Sequence, residues 1–156
     1  MQTNIRHLRE LKLSYMVRHD ADGQPVPLRE TVSDTGAAAT ILRSLLQSEA
    51  VEVFAVLLLS TKHDVIGYHE VSRGTLDASL VHPREVFKAA ILANASAIVL
   101  AHNHPSGNPA PSPEDHQVTR RLAQAGHLLG IHVLDHVVIG DDGYVSFRER
   151  GLLDAP

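Results

Sequence analysis

Cysteine is absent from the 156-residue chain. That excludes disulfide staples, zinc ribbons and thiol catalysis, and any transition metal must be held by imidazole and carboxylate. Tryptophan is absent too, and three tyrosines and three phenylalanines offer few platforms on which bases could stack. Positive charge is in deficit, with 14 Lys and Arg against 18 Asp and Glu and a formal net charge of -4. The longest basic run is the pair Arg120-Arg121, so there is no general attraction to phosphate backbones and nucleic acid is not the expected partner. No apolar stretch approaches the roughly 20 residues needed to span a bilayer, and Met1 to His7 lacks the apolar core of a signal peptide. A soluble, cytoplasmic protein with no membrane partner is expected.

What is present suits one hydrophobic core. At 44% apolar content the chain reads as a single domain over residues 1–156, with no repeat, heptad or low-complexity tract. Leu13 to Val17 alternates like a strand, and Asp20 to Pro25 reads as a turn. Ser33 or Asp34 can cap a helix that presents Ala37, Ile41, Leu42, Leu45 and Leu46 on one stripe. Val51 to Leu59 reads as a strand buried on both faces, with a second strand around Val65 to Val71. Pro83 opens a helix carrying Val86, Phe87, Ala90 and Ile91 on one side. Ala97 to Ala101 is a further buried strand that runs into His102-Asn103-His104-Pro105-Ser106-Gly107-Asn108-Pro109, which cannot continue a sheet. Ser112-Pro113-Glu114-Asp115 starts a helix through Val118, Leu122, Ala125 and Leu129 that Gly130 can end. Ile131 to Ile139, the turn Asp141-Asp142-Gly143, and Tyr144 to Phe147 then form a hairpin. The alternation predicts an α/β fold, a mixed sheet with helices packed on it.

Eleven histidines are many, but only position separates a ligand from a surface residue. His102 and His104 are two apart, which in an extended segment puts both rings on one side. Asp115 follows eleven residues after His104, across a loop that Gly107 and the prolines can fold back. Two imidazoles and one carboxylate make a three-ligand site with an open fourth position, as in catalytic zinc, and are compatible with manganese or iron. Each residue also has a plainer reading. A histidine at a strand end is usually structural or exposed, and Ser112 with Asp115 is a sufficient capping box without a metal.

The pattern H-x-H-x7-S-x2-D at a strand-to-helix junction resembles the JAMM motif of the JAB/MPN metallohydrolases, with His102, His104, Ser112 and Asp115 in its four places. Val81-His82-Pro83-Arg84-Glu85-Val86-Phe87, His102-Asn103-His104-Pro105-Ser106-Gly107 and Leu134-Asp135-His136 look like the RadC-like branch. That likeness covers a core of about residues 32–153 and implies the cytidine deaminase-like JAB/MPN architecture. It implies that His102, His104 and Asp115 hold one Zn²⁺ per chain, and that Ser112 orients water or stabilises an oxyanion. It places the general base on an acid that follows the first helix and opens the first long strand, which here is Glu52. A carboxylate there could take a proton from water and deliver it to a leaving amine, and an acid beside Val51, Val53 and Phe54 is costly without such a reason. Glu49 is a competitor. Glu85 is a weaker one, because an acid in a first helical turn stabilises the helix anyway. His136, beside Asp135, reads either as a partner orienting the site or as a plain strand histidine. His116, His127 and His132 read as structural or exposed. The letters His102-Asn103-His104 do not indicate an HNH nuclease, whose residues are spread over a hairpin and helix.

Three functions follow. The first is a zinc metallopeptidase or isopeptidase acting on a peptide or protein. The second is a DNA-associated accessory protein without peptidase activity, as the repair label of the family implies. The acidic charge, the few aromatics and a start without the helix-hairpin-helix region of longer relatives argue against it. The third, a noncatalytic scaffold, conflicts with a complete ligand set.

Overall fold

A computed structural model describes residues 10–20, 22–26, 31–74 and 81–153. The elements are α1 (Thr35–Leu46), β1 (Val53–Leu59), β2 (Val65–Arg73), α2 (Pro83–Leu92), β3 (Ala97–Asn103), α3 (Pro113–Leu129), β4 (His132–Ile139) and β5 (Tyr144–Ser146). They build one five-stranded sheet in the order β2-β1-β3-β4-β5. Strand β3 runs parallel to β4, and the other neighbours are antiparallel. The sheet is mixed and the fold is α/β, as the element pattern predicts.

Each face of the sheet has its own core. Val53, Ala55, Leu57, Leu59, Val99, Ala101, Val137 and Ile139 pack against α1. Phe54, Val56, Leu58, Ile98 and Leu100 pack against α2 and α3 through Val86, Phe87, Val118 and Leu122. β1 and β3 are central strands covered on both faces, which is why they read as unbroken apolar runs. His102 continues the alternation of Ile98 and Leu100, so its ring lies on the α2/α3 face and is completely buried.

The caps follow the sequence. Asp34 is the residue that caps α1, accepting from the Ala37 N–H at 2.8 Å, and Gly130 ends α3 in the left-handed region at φ 71°. Several expectations are corrected. Strand β3 does not stop at Ala101 but runs on through His102 and Asn103, which pair with Val138 and Ile139 of β4. Leu13 to Val17 forms no strand and is solvent-exposed, with only the bridge His19–Pro25 nearby. Its Tyr15 ring lies over Gly67 of the edge strand β2, but its backbone does not join that strand. β1 starts at Val53 rather than Val51, because the side chain of Asn103 takes the backbone groups of Val51 and Val53. Ile91 and Leu129 point out to solvent, so the stripes of α2 and α3 are narrower than their apolar letters suggest.

Candidate metal centre

The end of β3 and the start of α3 meet above the α2/α3 face. His102 is the next-to-last residue of β3, and His104 lies just beyond it, held by its N–H donating to the Ile139 carbonyl at 2.8 Å. The turn that follows uses Gly107 at φ 88°, which returns the chain so that the Asn108 carbonyl sits 2.8 Å from His104 Nδ1. A carbonyl has no proton to give, so Nδ1–H donates, and in the neutral ring Nε2 of His104 then carries the lone pair. The loop is packed tightly on the β4–β5 turn. A Cβ on Gly140 would collide with the Gly107 carbonyl oxygen, and the Asp141 N–H donates to that same oxygen at 2.9 Å.

Ser112 caps α3 in a full capping box. Its hydroxyl oxygen accepts from the Asp115 N–H at 3.1 Å, and its own N–H donates to Asp115 Oδ2 at 2.8 Å. The capping and ligand readings are therefore not rivals, because the box is what orients the Asp115 carboxylate. His102 Nε2 lies 2.9 Å from His104 Nε2. Asp115 Oδ1 is 3.1 Å from His102 Nε2, and Oδ2 is 3.3 Å from His104 Nε2. Ligand atoms on a tetrahedral zinc ion, each about 2.0–2.1 Å from the metal, are about 3.3 Å apart. The donors present fit such an ion in kind and in spacing.

Glu52 stands one residue before β1, and its Oε1 is 3.9 Å from His102 Nε2 and 4.0 Å from His104 Nε2. Glu52, His102 and His104 offer ligand atoms within 4.8 Å of one another, so they too could form a metal-holding group. Asp115 lies closer to the two imidazoles, at 3.1 and 3.3 Å, than Glu52 does. Glu52 is only half-buried, so its cost in the fold is smaller than an acid inside a strand would carry. It lines a cavity of ≈ 430 Å³ together with Phe54, Val81, His104, Ser112 and Asp115.

The Asp115 carboxylate and the His104 imidazole shift one another. Burial pushes the Asp115 carboxyl up, but the His102 and His104 imidazoles and the Ser112 N–H outweigh it and hold it far below the usual carboxylate range. The same contact with Asp115 raises the His104 imidazole. Glu49 is elsewhere, gripped by Arg73 at 2.7 and 3.0 Å, and that pairing lowers its carboxyl. Glu85 pairs with Lys88 in the first turn of α2. His136 is fully buried, with its Nε2 2.8 Å from His102 Nδ1, and burial holds its ring well below the ordinary histidine range. His116, His127 and His132 line a separate cavity of ≈ 330 Å³.

Residues 32–152 match the family model of the RadC-like JAB domain. The chain belongs to the RadC-like JAB-domain family. It is 64% identical over 104 residues to a UPF0758 protein of Symbiobacterium thermophilum, covering 67% of this chain and 44% of that relative. It is 60% identical over 102 residues to one of Desulfitobacterium hafniense (65% and 45% covered) and 51% identical over 127 residues to one of Rubrobacter xylanophilus (81% and 56% covered). The chain spans about half the length of the curated relatives it matches.

Two residues of this RadC-like JAB domain that sequence reasoning passes over help to build the site. Asn103, the middle letter of His102-Asn103-His104, points away from both imidazoles. Its Oδ1 accepts from the Val53 N–H at 2.7 Å, and its Nδ2 donates to the Val51 carbonyl at 2.9 Å, so it clasps both neighbours of Glu52. Asn103→Ala leaves the buried Val53 N–H unpaired and is expected to cost about 1–3 kcal/mol in urea unfolding. An unchanged midpoint would show that water replaces the amide. The other residue is Thr119, buried within α3, whose hydroxyl touches both the Asp115 carbonyl and His136 Nδ1 at 2.6 Å. A polar residue on the buried stripe of α3 was its only signal.

Proposed function

We propose that this RadC-like JAB domain is a zinc-dependent hydrolase of amide bonds, a metallopeptidase or isopeptidase acting on a peptide or protein. His102, His104 and Asp115 are its metal ligands and Glu52 is its general base. One observation carries the reading. The lone pairs of two imidazoles and a carboxylate converge at 2.9–3.3 Å, and a second carboxylate faces them across the open side at 3.9–4.0 Å. Zinc bound there supplies a Lewis acid and a water acidified toward neutral pH.

The chain's own residues do the rest. Glu52 is placed to take a proton from the attacking water and return it to the leaving amine. The Ser112 oxygen already accepts from the Asp115 N–H, so its own hydroxyl proton stays free to donate to the developing oxyanion. Phe54, Val81 and Val118 give the cavity an apolar wall beside its polar groups. Among the described residues no helix is long and apolar enough to cross a membrane, and the net charge of -4 argues against nucleic acid as the substrate.

The test is a peptide library and a panel of lysine-linked isopeptides, incubated with zinc-loaded protein and read by mass spectrometry. Cleavage that stops on chelation and returns with zinc is expected. Zinc-loaded protein that cuts neither set, yet binds DNA in a salt-sensitive way, would replace this reading with the DNA-associated one.

A further inference from the structure

We infer that Thr119 and His136 form a hydrogen-bond relay that locks His102 in its Nδ1–H tautomer and so aims its Nε2 lone pair at the metal. The inference rests on the metal-centre reading above, and both residues act as positioning residues rather than as ligands.

The relay follows from counting protons. The Thr119 hydroxyl has one proton to give, and at 2.6 Å from the Asp115 carbonyl oxygen it gives it there, since the carbonyl can only accept. The 2.6 Å contact between Thr119 Oγ1 and His136 Nδ1 must then be an Nδ1–H donating to the oxygen. His136 is wholly enclosed, stacked on Phe147 with ring centroids 4.9 Å apart and edge-on to Phe54 at 5.5 Å. A neutral imidazole carries one N–H, so His136 Nε2 has a bare lone pair and can only accept. Its partner at 2.8 Å, His102 Nδ1, is therefore the donor. That leaves Nε2 of His102 without a proton, facing His104 Nε2 and Asp115 Oδ1. In water a neutral histidine prefers the opposite tautomer, so two adjacent histidines both held as Nδ1–H indicate an imposed order. The relay begins at the backbone of Asp115 and ends at His102, so it also ties two of the three proposed ligands to each other.

The backbone makes room for the relay with one extra residue. Ile98 pairs with Val133, but Val99 pairs with Asp135, so Leu134 bulges out of β4. Val133 lies on the α2/α3 face, and strict alternation from there would send His136 to the α1 face. The bulge resets the phase, so that Val137 and Ile139 join the α1 core and His136 faces His102. Asp135 anchors the reset strand, accepting from the His136 N–H at 2.7 Å, the Ser146 hydroxyl at 2.6 Å and the Arg148 N–H at 3.0 Å.

Two measurements on the full chain test the relay. Long-range ¹H–¹⁵N correlation spectra of the zinc-loaded wild type should show His136 protonated at Nδ1, and His136 protonated at Nε2 would overturn the relay. Zinc titration of Thr119→Val, which keeps the shape and loses the hydroxyl, should show affinity about 10- to 100-fold weaker, with Thr119→Ser close to wild type. Circular dichroism confirms that each variant is folded. If wild type and Thr119→Val bind zinc equally well, the relay is wrong and the metal centre stands. If the wild type itself binds no zinc, the metal-centre reading falls and takes the inference with it.

Discussion

Alanine at His102, His104 or Asp115 is expected to reduce zinc from near one ion per chain to almost none, read by plasma mass spectrometry on protein purified without chelator. In the proposed centre each residue supplies one of three side-chain donors. If a binding free energy like the about 10–16 kcal/mol of structural zinc in zinc-finger peptides is shared among three donors, one donor accounts for about 3–5 kcal/mol. Losing it weakens affinity on the order of 10²–10³-fold or more. Glu52→Ala is the necessary comparison, because Glu52, His102 and His104 also lie close enough to share an ion. Retained zinc in Glu52→Ala, together with loss in Asp115→Ala, would assign the third ligand to Asp115. The reverse pattern would exchange their roles. Asp115→Ala also removes half of the α3 capping box, so its unfolding midpoint has to be followed alongside the metal. A cap costs about 0.5–2 kcal/mol, too little by itself to empty the site in a folded chain.

Much of this site is legible in the sequence because each step depends on local chemistry. The spacing of His102 and His104 follows from the period of a strand, and Ser112 to Asp115 from the first turn of a helix, so both pieces can be read without knowing what they face. The strand β1 is equally plain, since a central strand covered on two faces needs apolar residues at every position. Sequence reading fails where the determinant is a long-range contact. Asn103 serves residues fifty positions away, at Val51 and Val53, and nothing next to it announces that. Thr119 is unremarkable in a helix until His136 arrives from β4. The Leu134 bulge cannot be seen as a departure from alternation until the register with β3 is known. Leu13 to Val17 fails in the opposite direction: its local alternation is real, but alternation alone does not pair a segment, and this one stays exposed and outside the sheet.

Glu52→Gln separates chemistry from binding. The amide is nearly the same size as the carboxylate and carries no charge. Because Glu52 sits 3.9 and 4.0 Å from the two Nε2 atoms, beyond the spacing of direct ligands, zinc content should stay at the wild-type level. Hydrolysis of whichever peptide or isopeptide the wild type cleaves should fall by about 10²–10⁴-fold, the usual contribution of a positioned general base. The loss should appear in kcat, because the amide can still hold a water by hydrogen bonding but cannot take its proton. Glu49→Gln is the matching control. Glu49 is tied to Arg73, so its replacement should affect stability by no more than about 1 kcal/mol and leave the rate intact. A Glu52→Gln enzyme that keeps its zinc and its full rate would remove Glu52 from the mechanism. Loss of zinc along with rate would instead make Glu52 a ligand, and the open side of the site would then have to be sought on the far side of His104, toward Pro105 and Ser106.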